Sequence, residues 1–360
     1  MEKKQALDMN RGGGESSYSQ NSKFQQKRSS ITKPILENSV QSLISKGFHL
    51  HKLLNVVDLG CSTGPNTFSV IQTVKETVEK KCKELNCQTP EIQFYLNDLP
   101  GNDFNSLFKG LSGFCDQTQG ESFYAAGVPG SFHGRLFPRN TLHFVHSSCS
   151  LHFLSQVPKG LTSNEGLPLN KGKVYISTTS PPVVREAYLT QFQEDFTLFL
   201  KSRSEELVPD GCIFFTIRGS ADPTSKDCCW QWELFAEAIA ELVSEGLVEE
   251  GKLDSFNLAY YLPSPEEVQD IVEKEGSFAI EHLETFSFEI GDKQEKDTWS
   301  QGEKFANSMR FYTESLISHH FGEEIVDKLF QKTTRLLVEE LAKETIIAGS
   351  ILVVLSRILG

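Results

Sequence analysis

Two short apolar runs end in acidic and glycine-rich segments of the kind that bind a nucleoside. Residues 54–60 end in Asp-Leu-Gly, residues 92–98 end in Asn-Asp, and two glycines lie in the turn 60–66. Buried parallel strands are apolar runs of this length, and glycine lets the following turn approach a ligand closely. At the tip of the second run, Asp98 could accept hydrogen bonds from both hydroxyls of a ribose. Two plainer interpretations stay open: an ordinary strand-to-helix turn, and Asp98 as the N-cap of a helix near Asn102.

A third junction, Gly130-Ser131-Phe132, carries groups that suit the base of the same nucleoside. Ser131 could hydrogen-bond to adenine, and Phe132 could stack on its ring. The turn 60–66 lacks the G-x-G-x-x-G spacing of dinucleotide sites and the Lys-Ser/Thr pair of ATP sites, and the sequence has no G-x-S-x-G nucleophile turn. These observations argue against a dehydrogenase, an ATPase and a serine hydrolase.

Strand and helix patterns alternate along the chain. Strands are predicted at 54–60, 92–98, 142–146, 173–177, 211–217 and 351–355, and helices near 20–45, 66–84 and 183–207. The alternation predicts an α/β fold with a mostly parallel, doubly wound sheet. We divide the chain into a Rossmann-like core with an N-terminal lid segment (1–219), a mainly helical cap forming the second pocket (220–345) and a C-terminal strand that returns to the core sheet (346–360).

Composition and net charge restrict the classes of partner that we expect for this chain. The chain has 360 residues and a net charge of -13, and it has no dense Lys/Arg cluster, so we expect no nucleic-acid partner. No apolar run approaches the roughly 20 residues of a membrane helix, and no signal-peptide pattern is present. We therefore expect a cytoplasmic protein without a membrane partner. Its 8 cysteines include no C-x-x-C pair and are expected to be free thiols.

Specific motifs occur in a fixed order from one end of the chain to the other. They are Met9-Asn10, Ser17-Tyr18, Asp58-Leu59-Gly60-Cys61, Asn97-Asp98-Leu99, Asn102-Asp103-Phe104-Asn105, Pro129-Gly130-Ser131-Phe132, Gly134-Arg135-Leu136-Phe137-Pro138, His146-Ser147-Ser148 and Leu154-Ser155-Gln156-Val157-Pro158. This combination resembles the SABATH methyltransferases of plants over essentially the whole chain. Within that family the likeness is closest to the caffeine and theobromine synthase branch of tea and cacao. It is carried by Met9-Asn10-Arg11-Gly12, Phe48-His49-Leu50, Lys81-Cys82-Lys83-Glu84-Leu85-Asn86-Cys87 and Ser180-Pro181-Pro182-Val183-Val184-Arg185.

The resemblance implies a class I methyltransferase fold with S-adenosylmethionine as the methyl donor, and a homodimer. It implies these cofactor-binding residues: Tyr18, Cys61, Asn66, Asp98, Leu99, Ser131, Phe132, Ser148 and Cys149. It also implies a Mg²⁺ site at Asn170, Asp254, Phe256 and Asn257. Since methyl transfer from a sulfonium needs no metal, Asp254-Ser255-Phe256-Asn257 is equally interpreted as a turn with a buried Phe.

Three positions favour a xanthine acceptor over a carboxylic acid. Carboxylate-methylating relatives often carry Lys, Met and Leu where this chain has Asn10, His152 and Arg218. A His and an Arg can hydrogen-bond to a polar heterocycle. Relatives usually carry Tyr and Trp at the positions of Cys149 and Phe153, so this pocket is expected to be reshaped. The resemblance implies these acceptor-binding residues: Tyr18, Gln25, Cys149, His152, Phe153, Arg218, Trp232, Phe311 and Tyr312.

His152 is the candidate catalytic residue, because it could accept the proton that the acceptor nitrogen loses; the proton could also leave to water. As alternatives, His152 is a packed structural histidine, and Trp232 is a core aromatic. The sequence and its resemblance thus predict an N-methyltransferase of xanthine alkaloids, acting between methylxanthine, theobromine and caffeine. The other candidates are a salicylate- or benzoate-type carboxyl O-methyltransferase and a non-catalytic ligand-binding relative.

Overall fold

A seven-stranded sheet forms the centre of the protein. The computed structural model describes residues 22–48, 52–117, 123–220, 226–290, 297–343 and 345–358. The strands are β1 (Leu53–Leu59), β2 (Glu91–Asp98), β3 (Phe123–Pro129), β4 (Leu142–Ser148), β5 (Leu207–Arg218), β6 (Phe278–Ile290) and β7 (Ile346–Arg357). Their order is β3-β2-β1-β4-β5-β7-β6. Strands β1 to β5 are parallel, and β7 is antiparallel to both β5 and β6. The predicted α/β fold with a mostly parallel sheet is confirmed.

The winding of the sheet changes direction between β1 and β4. From β1 the chain proceeds outward through β2 and β3, then returns to place β4 and β5 on the other side. In open α/β sheets, ligands bind in the crevice outside the carboxyl ends of the strands at such a switch point. Leu59, Asp98 and Ser148 end the strands that border this crevice.

Helices cover both faces of the sheet. The described helices are α1 (Lys23–Ser45), α2 (Pro65–Glu84), α3 (Phe104–Gln117), α4 (Pro182–Glu206), α5 (Lys226–Ser244), α6 (Glu250–Ser255), α7 (Pro265–Glu275), α8 (Thr298–Phe321) and α9 (Glu323–Leu341). Successive residues of a strand point to opposite faces, and Phe214 and Phe215 of β5 accordingly belong to separate hydrophobic clusters. Phe214 packs in the cluster of α1 and α2, and Phe215 packs with Phe196 of α4. Each such buried ring stabilises the fold by about 1.5–3 kcal/mol.

The predicted strand at 173–177 is wrong. This segment has no strand structure and lies as a buried loop, in which Val174 O accepts a hydrogen bond from Leu258 N (2.8 Å). Val174 and Tyr175 are nearly inaccessible to solvent. An apolar run indicates that a segment is buried, whereas a strand also needs a neighbouring strand to pair with along its whole length. Here a turn in which Ser180 N donates to Ser177 O ends the run after a few residues.

The span 220–345 contains a long strand as well as helices. The predicted cap helices are present as α5 to α9, but β6 pairs along 13 residues with β7 and extends the core sheet. Its buried residues do not alternate regularly, and its sequence carries Glu281, Glu284 and Glu289. An edge strand tolerates such charges because one side of it faces solvent. The apolar pattern is therefore weak, and the sequence analysis did not predict this strand.

Of the helices in the described ranges, none combines the length and apolarity that crossing a membrane requires. Six cysteines in those ranges are free thiols: Cys61, Cys82, Cys87, Cys149, Cys212 and Cys229.

Candidate active site

The turn after β1 forms the floor of the crevice. Gly60 has a φ of +76°, and a Cβ at this position would overlap the Ser150 hydroxyl, so only glycine fits without displacing its neighbours. The amides of Gly60 and Cys61 both donate to Asn97 O (2.9 and 3.0 Å). Glycine at this position therefore lets the turn pack closely against Ser150 while its backbone lines the cavity.

Asp98 lies beside this turn at the end of β2. Its Oδ2 accepts a hydrogen bond from Ser62 N (2.7 Å) and its Oδ1 accepts one from Leu99 N (2.7 Å). A carboxylate has about four acceptor positions, so these two hydrogen bonds alone do not saturate it. The plainer interpretation of Asp98 as a helix N-cap does not hold, since the helix that follows begins at Phe104 and Asp103 accepts from Ser106 N in its first turn.

A buried ion pair holds the segment after β3. Arg203 and Glu206 of α4 are fully buried and 2.7 Å apart. The Arg203 guanidinium donates to Phe132 O and Gly134 O (both 2.8 Å), while Glu206 Oε1 accepts from the amide of Phe137. Burial lowers the pKa of Arg203, and the Glu206 carboxylate opposes that shift. The pair thus fixes the backbone that presents Ser131 and Phe132 to the crevice.

A single cavity of about 290 Å³ joins the crevice to the cap helices. At its donor end lie the residues predicted for the cofactor: Asp98, Leu99, Ser131, Phe132 and Ser148, next to Gly60 and Ser62. At its acceptor end lie most of those predicted for the acceptor: Gln25, Cys149, His152, Phe153, Arg218, Phe311 and Tyr312. The two predicted groups of residues therefore meet in one space, as direct transfer between two bound molecules requires.

Cys149 is the residue between the two ends. It follows β4 with a φ of +57°, a left-handed conformation that is uncommon outside glycine, and its amide donates to Thr216 O (2.9 Å). Its side chain is half-buried and lies 3.7 Å from Arg28 Nη1. Ser148 is tied to β5 by a 2.9 Å hydrogen bond to the Thr216 hydroxyl.

His152 is neutral at physiological pH. Burial, with the positive charges of Arg218 and Arg28, lowers its pKa well below the usual value. Its Nδ1 accepts a 3.5 Å hydrogen bond from the backbone N–H of Arg218. This contact assigns the proton of the neutral ring to Nε2, so the imidazole has one N–H to donate. The arrangement suits orienting a carbonyl better than accepting a proton.

Two glutamines place uncommitted polar atoms at the acceptor end. Arg218 Nη1 donates to Gln231 Oε1 (3.1 Å), which fixes the amide orientation and leaves Gln231 Nε2 as a donor. Within the described part of the chain, Gln231 Nε2 and Gln25 Oε1 are buried atoms without a hydrogen-bond partner. Buried polar atoms are nearly always paired, and a ligand edge with both a donor and an acceptor would pair them.

Aromatic rings form the walls around these polar atoms. Phe153 packs edge-on against Tyr260 (5.7 Å between centroids) and Tyr312 (5.9 Å), and all three line the cavity. Trp232 does not line it. This side chain is 2% exposed and packs behind the wall on Tyr260 and Tyr312. Its position agrees with the alternative interpretation of Trp232 as a core aromatic.

Some predicted residues lie away from the cavity, and others were not predicted. Cys61 is buried beneath the turn, where burial and the Asp98 and Asp58 carboxylates raise the pKa of its thiol, and Asn66 lies in the first turn of α2. Tyr18 lies outside the described residues. The lining residues that sequence reasoning missed include Phe24, Arg28, Gln231, Tyr260, Phe305 and Ser308. On α1, Arg28 lies three residues after Gln25 and four after Phe24, so the three side chains lie on one side of the helix. Their spacing to the predicted Gln25 could have identified Phe24 and Arg28.

The four residues implied for Mg²⁺ come from two adjoining segments. Gly172 N donates to Asp254 Oδ1 (2.8 Å), which ties the turn after Asn170 to α6. Asn170 Oδ1 accepts from the Ser180 hydroxyl, and Asn257 Oδ1 is a buried atom without a partner in the described ranges. One carboxylate with amide oxygens is a donor set that a hard cation accepts, and Phe256 could add only its backbone carbonyl. None of the four lines the cavity.

The chain matches a known protein family over almost its whole length. The family model described as SAM dependent carboxyl methyltransferase matches residues 4–358. The chain belongs to that family. The chain is accordingly an S-adenosylmethionine-dependent methyltransferase with the class I fold, and its resemblance to the SABATH methyltransferases is confirmed.

Relatives of this methyltransferase span its whole length. It is 59% identical to the probable caffeine synthase 4 of Camellia sinensis, with 100% of both chains covered. It is 58% identical to a 3,7-dimethylxanthine N-methyltransferase of Camellia sinensis var. assamica, over 99% of this chain and 97% of that one. The solved structure of loganic acid methyltransferase with SAH matches with a TM-score of 0.87 at 35% identity, covering 98% and 99% of the two chains.

Proposed function

We propose that this methyltransferase is an N-methyltransferase of xanthine-type purines, converting a methylxanthine to theobromine or caffeine in purine alkaloid formation. The names of its relatives at 58–59% identity support a methylxanthine acceptor. The observation that carries the proposal is the pair of uncommitted amide atoms, Gln25 Oε1 and Gln231 Nε2, between aromatic walls. A xanthine presents carbonyl acceptors and N–H donors on one flat ring, so it can pair with both. A benzoate ring offers acceptors only.

The donor end binds and orients the cofactor through residues of the chain itself. Asp98 would accept hydrogen bonds from the ribose hydroxyls while its oxygens keep the Ser62 and Leu99 amides in place. Ser131 and Phe132 would hold the adenine, since Arg203 fixes the backbone on which they stand. S-adenosylmethionine supplies, when bound, a methyl group on a sulfonium sulfur that needs only an aligned nucleophile.

The acceptor end excludes water and aligns the ring. Proximity and orientation contribute about 7–11 kcal/mol in model reactions. His152 would donate its Nε2–H to a ring carbonyl, and Gln231 would donate its Nε2–H beside it. Protonating His152 would place a third cation next to Arg28 and Arg218, which lower its pKa. We therefore assign His152 an orienting role and let the acceptor proton leave to water.

A carboxyl O-methyltransferase is the second candidate. The family description and the name of the loganic acid enzyme favour it, and a carboxylate would find cations at Arg28 and Arg218 in the cavity. A bound carboxylate would accept a hydrogen bond from Gln231 Nε2. It has no N–H to donate, so Gln25 Oε1 would stay without a partner. The third candidate is a non-catalytic relative, in which Cys149 and Phe153 have abolished turnover.

Mg²⁺, the homodimer and a cytoplasmic location also remain proposals. Asn170, Asp254, Phe256 and Asn257 would hold the cation and tie the turn at 170–172 to α6, without any part in methyl transfer. If so, Mg²⁺ raises the melting temperature of the wild type and not of Asp254→Asn; equal shifts would reject the site. Sedimentation of the purified chain tests the dimer, and imaging of a tagged full chain tests the location.

An acceptor panel tests the proposed function. The full chain and methyl-labelled S-adenosylmethionine are incubated separately with xanthine, each monomethylxanthine, theobromine, salicylate and benzoate. We expect label on at least one xanthine, at a ring nitrogen identified by NMR of the product. Label on salicylate or benzoate alone would replace the proposal by the carboxyl candidate, and no label with SAH still bound would favour the non-catalytic one.

A further inference from the structure

Arg28 is a buried cation at the acceptor end of the cavity. It lies on α1, is 4% exposed, and lines the cavity with Cys149 and His152. Its Nε donates to the Ser350 hydroxyl of β7 (2.7 Å), its Nη1 lies 3.7 Å from Cys149 Sγ, and its guanidinium stacks over the Phe288 ring (5.0 Å). Contacts from three separate segments therefore hold the charge in one place.

No carboxylate pairs with this guanidinium among the residues that the structure describes. An unpaired buried charge is costly, and arginine cannot relieve the cost by losing its proton. The charge of Arg218 nearby adds to the cost, because it and burial both lower the pKa of Arg28. Two cations held close together favour the binding of an anion, because its negative charge offsets their mutual repulsion.

The neutral groups around Arg28 do not supply that anion. Among the residues that the structure describes, the titratable and charged groups that face it are Cys149, His152, Arg218, Tyr260 and Tyr312. Burial raises the pKa of both tyrosines and lowers that of His152, so all three are neutral at physiological pH. Asp98, the carboxylate that lines the cavity, lies at the donor end on the amides of Ser62 and Leu99.

We propose that Arg28 recognises negative charge on the acceptor, so that a purine dione such as a monomethylxanthine binds as its ring anion after loss of one acidic N–H and keeps its other N–H for Gln25 Oε1. This inference rests on the proposed function and names the ionisation state that the site selects. The N–H proton goes to water before or during binding. The electron pair of the deprotonated nitrogen then forms the nitrogen–carbon bond to the methyl group, and the carbon–sulfur bonding pair returns to sulfur. A cation and an anion thereby give two neutral products at the reacting centre.

Binding to the SAH-saturated full chain tests this without turnover. Xanthine can lose a proton from a ring nitrogen, whereas caffeine carries methyl groups at those nitrogens and cannot ionise. In the wild type, xanthine affinity is expected to rise with pH through the ligand's own ionisation, while caffeine affinity stays flat. A rise for both ligands would implicate an ionising group of the protein and overturn the proposal.

The Arg28→Gln variant removes the charge and keeps a polar side chain. Above the ionisation of xanthine, its affinity is expected to fall about 10- to 100-fold, the effect of losing one charge-assisted hydrogen bond, and caffeine affinity is expected to change less than about 2-fold. Arg28→Lys, which keeps the charge, should restore part of the loss. Lys27→Gln is the matched control, since Lys27 is the exposed neighbour that donates to Glu289 O (3.1 Å). Equal losses for xanthine and caffeine would show a packing role and reject the proposal.

The same titrations test two other anions as the partner of Arg28, the carboxylate of the cofactor and benzoate. If Arg28→Gln weakens SAH binding and leaves xanthine binding unchanged, the anion is the cofactor's carboxylate and the inference fails. If benzoate binds in an Arg28-dependent manner and xanthine does not bind the wild type, the proposed function fails with it. Methyl transfer to a xanthine that is unaffected by Arg28→Gln would reject the inference while the proposed function stands.

Discussion

At the scale of single residues, Asp98 is the central side chain of the proposed donor site. Its two carboxylate oxygens hold the Ser62 and Leu99 amides at the end of β2, and the same side chain lines the cavity. We expect Asp98→Ala to weaken SAH binding about 10- to 100-fold, because hydrogen bonds to a charged group contribute about 1.5–3 kcal/mol. Isothermal titration calorimetry measures this directly.

Asp103→Ala is the matched control for that experiment. Asp103 accepts from Ser106 N (3.0 Å) in the first turn of α3 and does not line the cavity. Its loss should lower the stability of the protein by about 1 kcal/mol without changing SAH affinity. Wild-type affinity in Asp98→Ala would show that the donor assignment is wrong.

His152 makes stability depend on pH in a defined direction. Burial and the neighbouring arginines lower its folded-state pKa well below the usual 6.5. As pH falls through about 6.5, the unfolded chain binds a proton at this side chain that the folded chain does not. Stability is therefore lost on acidification, by about 1.4 kcal/mol between pH 7.5 and 5.5 for one such group.

Urea unfolding of wild type and His152→Gln at pH 7.5 and 5.5 measures that contribution. The glutamine variant should lose about 1.4 kcal/mol less than the wild type over this interval. His133, whose pKa burial also lowers, is present in both proteins and cancels in the difference. Parallel losses in the two proteins would mean that His152 titrates normally in the fold.

At the scale of elements, the end of α4 positions the loop after β3. Glu206 pairs with Arg203 inside the protein, and both bond to the backbone of residues 132–137. Removing one member of a buried pair leaves the other charge uncompensated and costs about 3–5 kcal/mol. We expect Glu206→Gln to lower the free energy of unfolding by about 3 kcal/mol and to weaken SAH binding through displaced Phe132.

Glu205→Gln is the control one residue away. The Glu205 side chain is 40% exposed and pairs with Arg135 at the surface, where such a pair contributes about 0–1 kcal/mol. Denaturant unfolding compares the two variants with the wild type. Similar stability losses in both would contradict the role of the buried pair.

The elements that the sequence predicted are those with strong local patterns. The helix beginning at Pro65 and the strands that end at Leu59 and Asp98 lie within a few residues of their predicted bounds, because their apolar periods and turn residues agree. β6 was missed because the polar residues of an edge strand weaken its period, and 173–177 was mistaken for a strand because burial alone makes a run apolar.

The site residues, too, could be predicted where a local sequence pattern positions them and not where tertiary packing does. The donor residue Asp98 ends β2 and Ser131 follows β3 closely, so their positions could be predicted from the parallel arrangement. Arg28 could have been found from its spacing to Gln25 on α1, whereas Gln231 comes from a helix whose rotation toward the cavity is set by the packing of α5, which no local pattern encodes. Trp232 illustrates the limit: one position along α5 separates a side chain behind the wall from the cavity-lining Gln231.

At the scale of the whole molecule, one cavity joins the sheet and the cap. The parallel strands place donor residues at their carboxyl ends, and α1, α5 and α8 close the space with Gln25, Gln231 and Tyr312. The chain carries a net charge of -13, yet Arg28 and Arg218 lie at the acceptor end. A local positive potential in an acidic protein attracts a small anion to that end.

The central claim is that this cavity transfers methyl groups to a xanthine nitrogen in preference to a carboxylate. Internal competition measures it most directly, because equal concentrations of 7-methylxanthine and salicylate share one pool of enzyme and labelled S-adenosylmethionine. The ratio of labelled products gives the ratio of kcat/KM values. We predict label almost wholly on 7-methylxanthine, by a factor of at least about 100, since a site built on hydrogen bonds discriminates strongly. Label mainly on methyl salicylate would contradict the account.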